Sequence, residues 1–248
     1  MKDLTSIDTT YSFEGDYEKD IDPDGQNPIL SRWHKILWGK SLPYNKGFFT
    51  LDIKRDSYFY LYHNSDLGEF FLTSDAMINE YHDYQLNGRY KEMQLIISQF
   101  SKEDFKPFCH TITTIGGYII FPIKNGYTIN QARGCNSKIS DRFDLTLECI
   151  RLYYDNKINA SINPLGETIS RYGSFFKLFT DFKGYCDFFF LQDLTLNNYS
   201  KINFFLPFDG FLRNAKPSSV EEYNIFKNKS IDFISKRNNR IEQYSKSK

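Results

Sequence analysis

The 248-residue sequence predicts a single α+β domain, a mainly antiparallel sheet with several packed helices. Three observations lead there. Strand-like aromatic and β-branched runs crowd the first third of the chain, helical periodicity takes over after Ser140, and no internal repeat, low-complexity tract or Pro/Gly linker divides the two. With 40% hydrophobic and 25% charged residues the composition is globular, and 24 Phe and 18 Tyr supply an aromatic core.

The elements follow in order. Residues 1–27 read as an acidic N-terminal arm, since the first 26 hold eight acidic residues against Lys2 and Lys19. Within it Asp20, Asp22, Asp24 and Gly25 match the first half of a calcium loop. The match ends there, because Asn27 and Ser31 stand where an aliphatic residue and a bidentate Glu are needed, and turn chemistry explains the stretch. The globular domain then runs over residues 28–248. Pro28 opens a short helix whose Leu30, Trp33 and Leu37 share a face, and Gly39 stops it. "GFFTLDI", "SYFYLYHNS" and "GEFFLTSD" are expected strands, the last two joined as a hairpin around "NSDLG". A helix is expected from about Asn87 to Gln99, and Ser101 with Asp104 caps a second. "HTITTIGGYIIFPI" reads as a buried strand in which Gly116-Gly117 marks a bulge or a close approach of another backbone. Helices are expected near Ser140–Tyr154, Glu167–Phe182 and Ser219–Arg240, with strand-like "CDFFFLQDL" and "KINFFLPF" between the last two. Ser219 and Glu222 form a capping-box pattern for the final helix.

Composition also excludes. Basic and acidic residues are equal at 31 each, so no global field draws the chain to nucleic acid or an anionic membrane. The C-terminal stretch from Ser218 is locally basic, and Lys236, Arg237 and Arg240 are its candidate contacts for nucleic acid. Cys109, Cys135, Cys149 and Cys186 lack metal spacing and are expected to be free buried thiols. No run approaches a membrane span and the N-terminus lacks the pattern of a signal peptide, which predicts a cytoplasmic protein without membrane contact. Heavy use of Lys, Asn, Ile, Phe and Tyr suggests a low-GC, bacterial coding sequence. Phosphate-loop, dinucleotide, nucleophile-elbow and zinc-protease motifs are all missing from the sequence.

One stretch, "TINQARGCNSKISDRFDLTLECIR", concentrates charge. Wound as a helix from Ser140, it sets Asp141, Asp144, Glu148, Arg151 and Asp155 on one stripe among Phe143, Leu145, Leu147, Cys149, Ile150, Leu152 and Tyr154. Two readings stand. In the first, Asn130, Arg133 and Arg142, with Asp144 and Arg151, gather a nucleotide or other anionic small molecule while Glu148 acts as acid, base or hydroxyl ligand. In the second the same charges are a structural ion-pair network in a non-catalytic binding or interaction module.

"LGEFFLTSD", "TIGGYIIFP", "TINQARG", "DRFDLTLECIR" and "GYCDFFFLQDL", followed by "FFLPFD" and "SIDFISKRNNRI", resemble a bacterial family of hypothetical proteins of unknown function. The resemblance runs from the first helix to the last and implies a single cytosolic domain without naming a catalytic residue. A fainter similarity is to ADP-ribosyltransferases: "LYHNS" with His63, "GEFFLTSDAMINEY" with Ser74 and Tyr81, and a later Glu148 follow that family's order. A tight hairpin stands here where that family usually places a helix. The similarity implies NAD as a cofactor, catalytic roles for His63 and Glu148, and a toxin or phage-defence effector acting as a transferase.

Overall fold

The computed structural model describes residues 6–17, 19, 21–55, 59–76, 91–123, 128–134, 138–211 and 216–247. The fold is α+β. Short helices α1 (Glu14–Tyr17) and α2 (Pro23–Gln26) lead into α3 (Pro28–Trp38), a small antiparallel pair β1 (Lys40–Ser41) and β2 (Phe48–Phe49), and strands β3 (Asp52–Arg55), β4 (Phe59–Ser65) and β5 (Gly68–Ala76). Helices α4 (Lys91–Ile97) and α5 (Lys102–Ile112) precede β6 (Tyr118–Ile123). Helices α6 (Ile129–Gly134), α7 (Phe143–Tyr154), α8 (Gly166–Ser170), α9 (Gly173–Lys177) and α10 (Phe182–Phe188) follow, then a second small pair, β7 (Thr195–Leu196) and β8 (Lys201–Ile202), and the long α11 (Val220–Lys246).

The main sheet has the order β3-β4-β5-β6 and is antiparallel throughout, with Leu61 opposite Leu72 and Ser74 opposite Ile120. Alternation along β5 sends Phe70, Leu72, Ser74 and Ala76 into the interior and leaves Thr73 and Asp75 on the other face. All five residues from Tyr118 to Pro122 on β6 are buried, so β6 is covered on both faces. The arm's described residues lie against this body, since Ile7 and Phe13 belong to the core and Ser12 bridges to Thr114. Phe49, Phe175, Phe179, Tyr185, Phe188 and Phe189 form a continuous chain of ring contacts in the core.

Local signals held where a cap or turn residue was explicit. Asn27 caps α3 by accepting from Ile29 and Leu30, Gly39 ends it, and Ser101 with Asp104 forms a full capping box on α5. Ser219 caps α11, whereas Glu222 turns back to Ser218 rather than completing the box with Ser219. Four expectations need correction. The stretch read as the strand "HTITTIGGYIIFPI" is helical up to Ile112 and turns in a 3-10 segment at Ile115–Gly117, so only Tyr118–Ile123 is strand. The apolar face of α5, Phe105, Phe108, Cys109 and Ile112, packs against α11 and overrides the β preference of Thr and Ile. "CDFFFLQDL" is likewise α10 and a 3-10 turn, since a continuous apolar run fits either period and Asp181 caps it as a helix by accepting from Gly184. "KINFFLPF" contributes only the two residues of β8, and the helix expected over Glu167–Phe182 is divided into α8 and α9. Of the helix expected from Asn87, Lys91–Ile97 is formed and 87–90 lies outside the described residues.

The glycine pair does mark a close approach. A Cβ on Gly117 would lie 1.8 Å from the carbonyl oxygen of Ile112, and one on Gly116 would lie 2.4 Å from Asn238 Oδ1. Asn238 accepts from Gly116 N at 2.8 Å and donates to Thr114, tying α11 to the turn. Gly117→Ala is therefore expected to cost at least the upper end of the roughly 1–3 kcal/mol typical of overpacking, read by urea unfolding. Wild-type stability in that variant would contradict the close approach of the turn to the Ile112 carbonyl at the end of α5.

Candidate functional site

Helix α6 places Asn130 and Arg133 three residues apart on one face, over the end of β5. Arg133 is fully buried. Its Nη1 donates to Asp141 Oδ1 and its Nη2 to Asp75 Oδ2, both at 2.6 Å, and the two nitrogens also reach the carbonyl of Ala76. Asn130 Oδ1 is 3.5 Å from Nη2, and the amide nitrogen of Asn130 donates to Thr73. Asp141 is not on the helical stripe, because α7 begins only at Phe143, with Arg142 rather than Ser140 at its N-cap.

Arg142 meets Asp144 in a two-pronged pair through Nε, at 2.9 Å, and Nη2. Both side chains are buried, and Asp144 Oδ2 also accepts from the backbone of Phe205 at 2.8 Å. One turn on, Arg151 grips both oxygens of Glu148, at 2.7 and 2.8 Å, and adds Asp155 at 2.8 Å. The stripe thus runs from the core outward to the half-exposed Asp155. The expected convergence of Asn130, Arg133, Arg142 and Glu148 on one concave site is not what the structure has: Arg133 faces β5, Arg142 faces Phe205 and Phe226, and Glu148 is occupied by Arg151. A groove of about 710 Å³ lies at the opposite, hairpin end of β5, lined among others by Phe70, Phe71, Pro122, Thr128 and Arg171.

His63 and Ser74 do not meet either. His63 Nδ1 donates to the carbonyl of Thr50 at 2.8 Å, its ring lies between Phe49 and Phe70, and burial lowers its pKa. Ser74 contacts a different histidine: His34 Nε2 and Ser74 Oγ are 2.7 Å apart, and Trp38 Nε1 donates to His34 Nδ1 at 2.8 Å. The indole fixes the tautomer with the proton on Nε2, so His34 donates to the serine and cannot take its proton. Burial and the Arg237 charge push its pKa down to about 3, and it stays neutral. This is a packing contact in the geometry of a dyad, not a nucleophile with its base. Tyr81 and Cys135 lie outside the described residues, while Cys109, Cys149 and Cys186 are free and buried.

The same end of β5 holds two carboxyls that the charged stretch does not reveal. Asp24, in the first turn of α2, faces Ser74 and hydrogen-bonds the carboxyl of Asp75. Its Oδ1 is buried and meets no donor. Burial, followed by the neighbouring charges of Asp75 and Asp22, raises the pKa of Asp24 well above the usual carboxylate range; burial also raises that of Asp75, against the lowering pull of Arg133. Two neighbouring buried carboxyls, with the Arg133 cation bound to Asp75, favour holding one proton between them, on the Asp24 side away from the cation. The sequence signal is "DPDG" at Asp22–Gly25, which reads as turn chemistry; nothing local pairs it with Asp75. Among the described residues no group of three or more His, Cys, Asp and Glu is arranged to hold a metal.

Asp144→Asn takes the paired charge from the buried Arg142 and is expected to cost about 3–5 kcal/mol, whereas Glu148→Gln, after which Arg151 keeps Asp155 and some contact with solvent, should cost less. Urea unfolding of the two variants measures the order, and equal losses would contradict it. Asp24 carries the opposite sign from an ion-paired carboxylate. Its folded pKa lies above the unfolded one, so its contribution to stability is complete below the ordinary carboxylate range and is lost as pH rises through the elevated value. Asp24→Asn, which holds the neutral state at every pH, should flatten that decline; an unchanged stability-against-pH curve would mean that the proton is not there.

No curated protein and no solved structure matches the chain, and no ADP-ribosyltransferase is among the matches. Among the described residues no helix is long and apolar enough to cross a membrane. The model of the family of unknown function DUF6994 matches residues 7–241, which is nearly the whole chain, and the protein belongs to that family.

Proposed function

We propose that the protein is an enzyme whose acid–base group is the Asp24–Asp75 carboxyl pair. The observation that carries the reading is the buried, unpartnered Oδ1 of Asp24 beside the carboxyl of Asp75, whose charge Arg133 holds from the other side. Asp24 is then the proton donor and Asp75 the ionised partner, with Arg133 and Asn130 as positioning residues. Asp22, exposed beside both, adds negative charge to the approach. Carboxyls in direct contact leave no room for the roughly 5–9.5 Å separation of glycoside hydrolases. A shared-proton pair suits addition of water to a neutral carbonyl, one carboxyl polarising the oxygen and the other taking the proton of the water.

The substrate class changes with the site. Asp75 and Asp141 already engage the Arg133 guanidinium, and Asp22 and Asp24 add carboxyls beside Asp75, which favours a neutral or cationic substrate over a nucleotide. An NAD-dependent transferase built on Glu148 and His63 has little support, since Arg151 takes both oxygens of Glu148 and Thr50 with two phenyl rings encloses His63. Nucleic-acid contact through α11 has as little: Arg237 is buried, Arg240 is paired with Asp193, and Lys236 with Asp232. The competing reading, a non-catalytic module, draws its support from the closed ion pairs of α7.

Chromogenic esters, amides and glycosides assayed across a range of pH decide between them. Hydrolysis of an ester or amide that falls as Asp24 loses its proton, and that disappears in both Asp24→Asn and Asp75→Asn while circular dichroism is unchanged, is the expected result. Turnover that survives both substitutions would place the catalysis outside this pair and overturn the assignment, and no turnover of any substrate by the wild type favours the non-catalytic reading.

A further inference from the structure

Two fully buried side chains, Arg237 of α11 and Tyr185 of α10, each keep one polar group without a partner. Arg237 donates through Nε to the carbonyl of Phe189 at 3.1 Å and through Nη1 to the carbonyls of Gly116 and Tyr118, each at 2.7 Å. Its guanidinium carbon lies 5.8 Å from the Trp38 ring centre and 5.4 Å from that of Phe143. Carbonyl dipoles and ring faces solvate this cation, but no carboxylate is among these partners, and burial pulls its pKa down to about 9. Nη2 meets no acceptor.

Tyr185 belongs to the same region. Its ring packs 4.9 Å from Phe189, the residue whose carbonyl receives Arg237 Nε, and its hydroxyl also meets no partner. The fields of Arg237 and Arg133 both act on that hydroxyl, and burial keeps it protonated, hence a donor. The nearby His34 is neutral and supplies no counter-charge. A buried guanidinium without a carboxylate, beside a second orphaned donor, is costly unless an acceptor of negative charge completes it.

We propose that Arg237 Nη2 and Tyr185 Oη hold a small monovalent anion of the halide class inside the core, between α10 and α11. Two buried donors suit a small monovalent ion better than the larger phosphate esters and carboxylic acids. The ion neutralises the charge that clips α11 to the turn before β6, so its role is to complete the fold, independent of the acid–base pair.

The test uses the full chain in two measurements. Crystals grown with bromide in place of chloride should show an anomalous peak within hydrogen-bonding distance of both groups. At constant ionic strength in gluconate, added chloride should raise the melting temperature along a saturating curve. Tyr185→Phe, which removes one donor and little volume, should move that curve to chloride concentrations at least about tenfold higher, the equivalent of one charge-assisted hydrogen bond. A water at this position in the bromide crystals, or a melting temperature indifferent to chloride, would overturn the site. Arg237→Met removes the charge itself; should it fold, its stability is expected to be independent of chloride, and retained dependence would place the ion elsewhere.

Discussion

A guanidinium cannot be buried without acceptors on most of its edge, and the end of β5 is arranged around that requirement. Arg133 reaches Asp75 and Ala76 on the strand and Asp141 on the segment leading into α7. One side chain thereby fixes α6, the segment that leads into α7, and a strand end more than fifty residues upstream. The cost of opening any of these pairs, with the charge left in the interior, exceeds what a surface pair contributes. Helix α6, only six residues long, gains its position from this anchor and from buried Ile129 and Ala132 rather than from its own propensity.

Charge that is engaged in this way is not free to bind a ligand. Arg142 and Arg151 close on their own carboxylates within one turn, and α11 pairs or buries the basic residues that make it look like a nucleic-acid helix. What remains is chemistry displaced by one step. Arg133 pulls the pKa of Asp75 down against its burial, while burial and the neighbouring carboxylates raise that of Asp24, which favours the proton on Asp24. Proton placement and strand anchoring are consequences of the same ion pair.

Much of the fold was legible where the signal is local. Asn27, Pro28 and Gly39 bound α3, Ser101 and Asp104 start α5, and "NSDLG" turns the β4–β5 hairpin, because caps and turns act within a few residues. "HTITTIGG" and "CDFFFLQDL" misled because an apolar or β-branched run takes its conformation from what covers it, here α11 and the aromatic chain. The charged stretch was visible, yet its partners were not. Asp141 and Asp144 look alike in the sequence; one belongs to a buried anchor eight residues upstream and the other to its neighbour two residues before. The contact of Asp24 with Asp75 bridges fifty-one positions between a turn and a strand end, and no periodicity connects them.

The central claim is that one proton sits between Asp24 and Asp75 because Arg133 holds the second carboxyl ionised. Carbon-13 NMR of the side-chain carboxyls, assigned by Asp24→Asn and Asp75→Asn and followed across pH, measures it directly. The account predicts that Asp24 keeps its proton well beyond the range in which ordinary aspartates lose theirs, and that the two resonances titrate together as a coupled pair. Two independent titrations in the ordinary carboxylate range would contradict it.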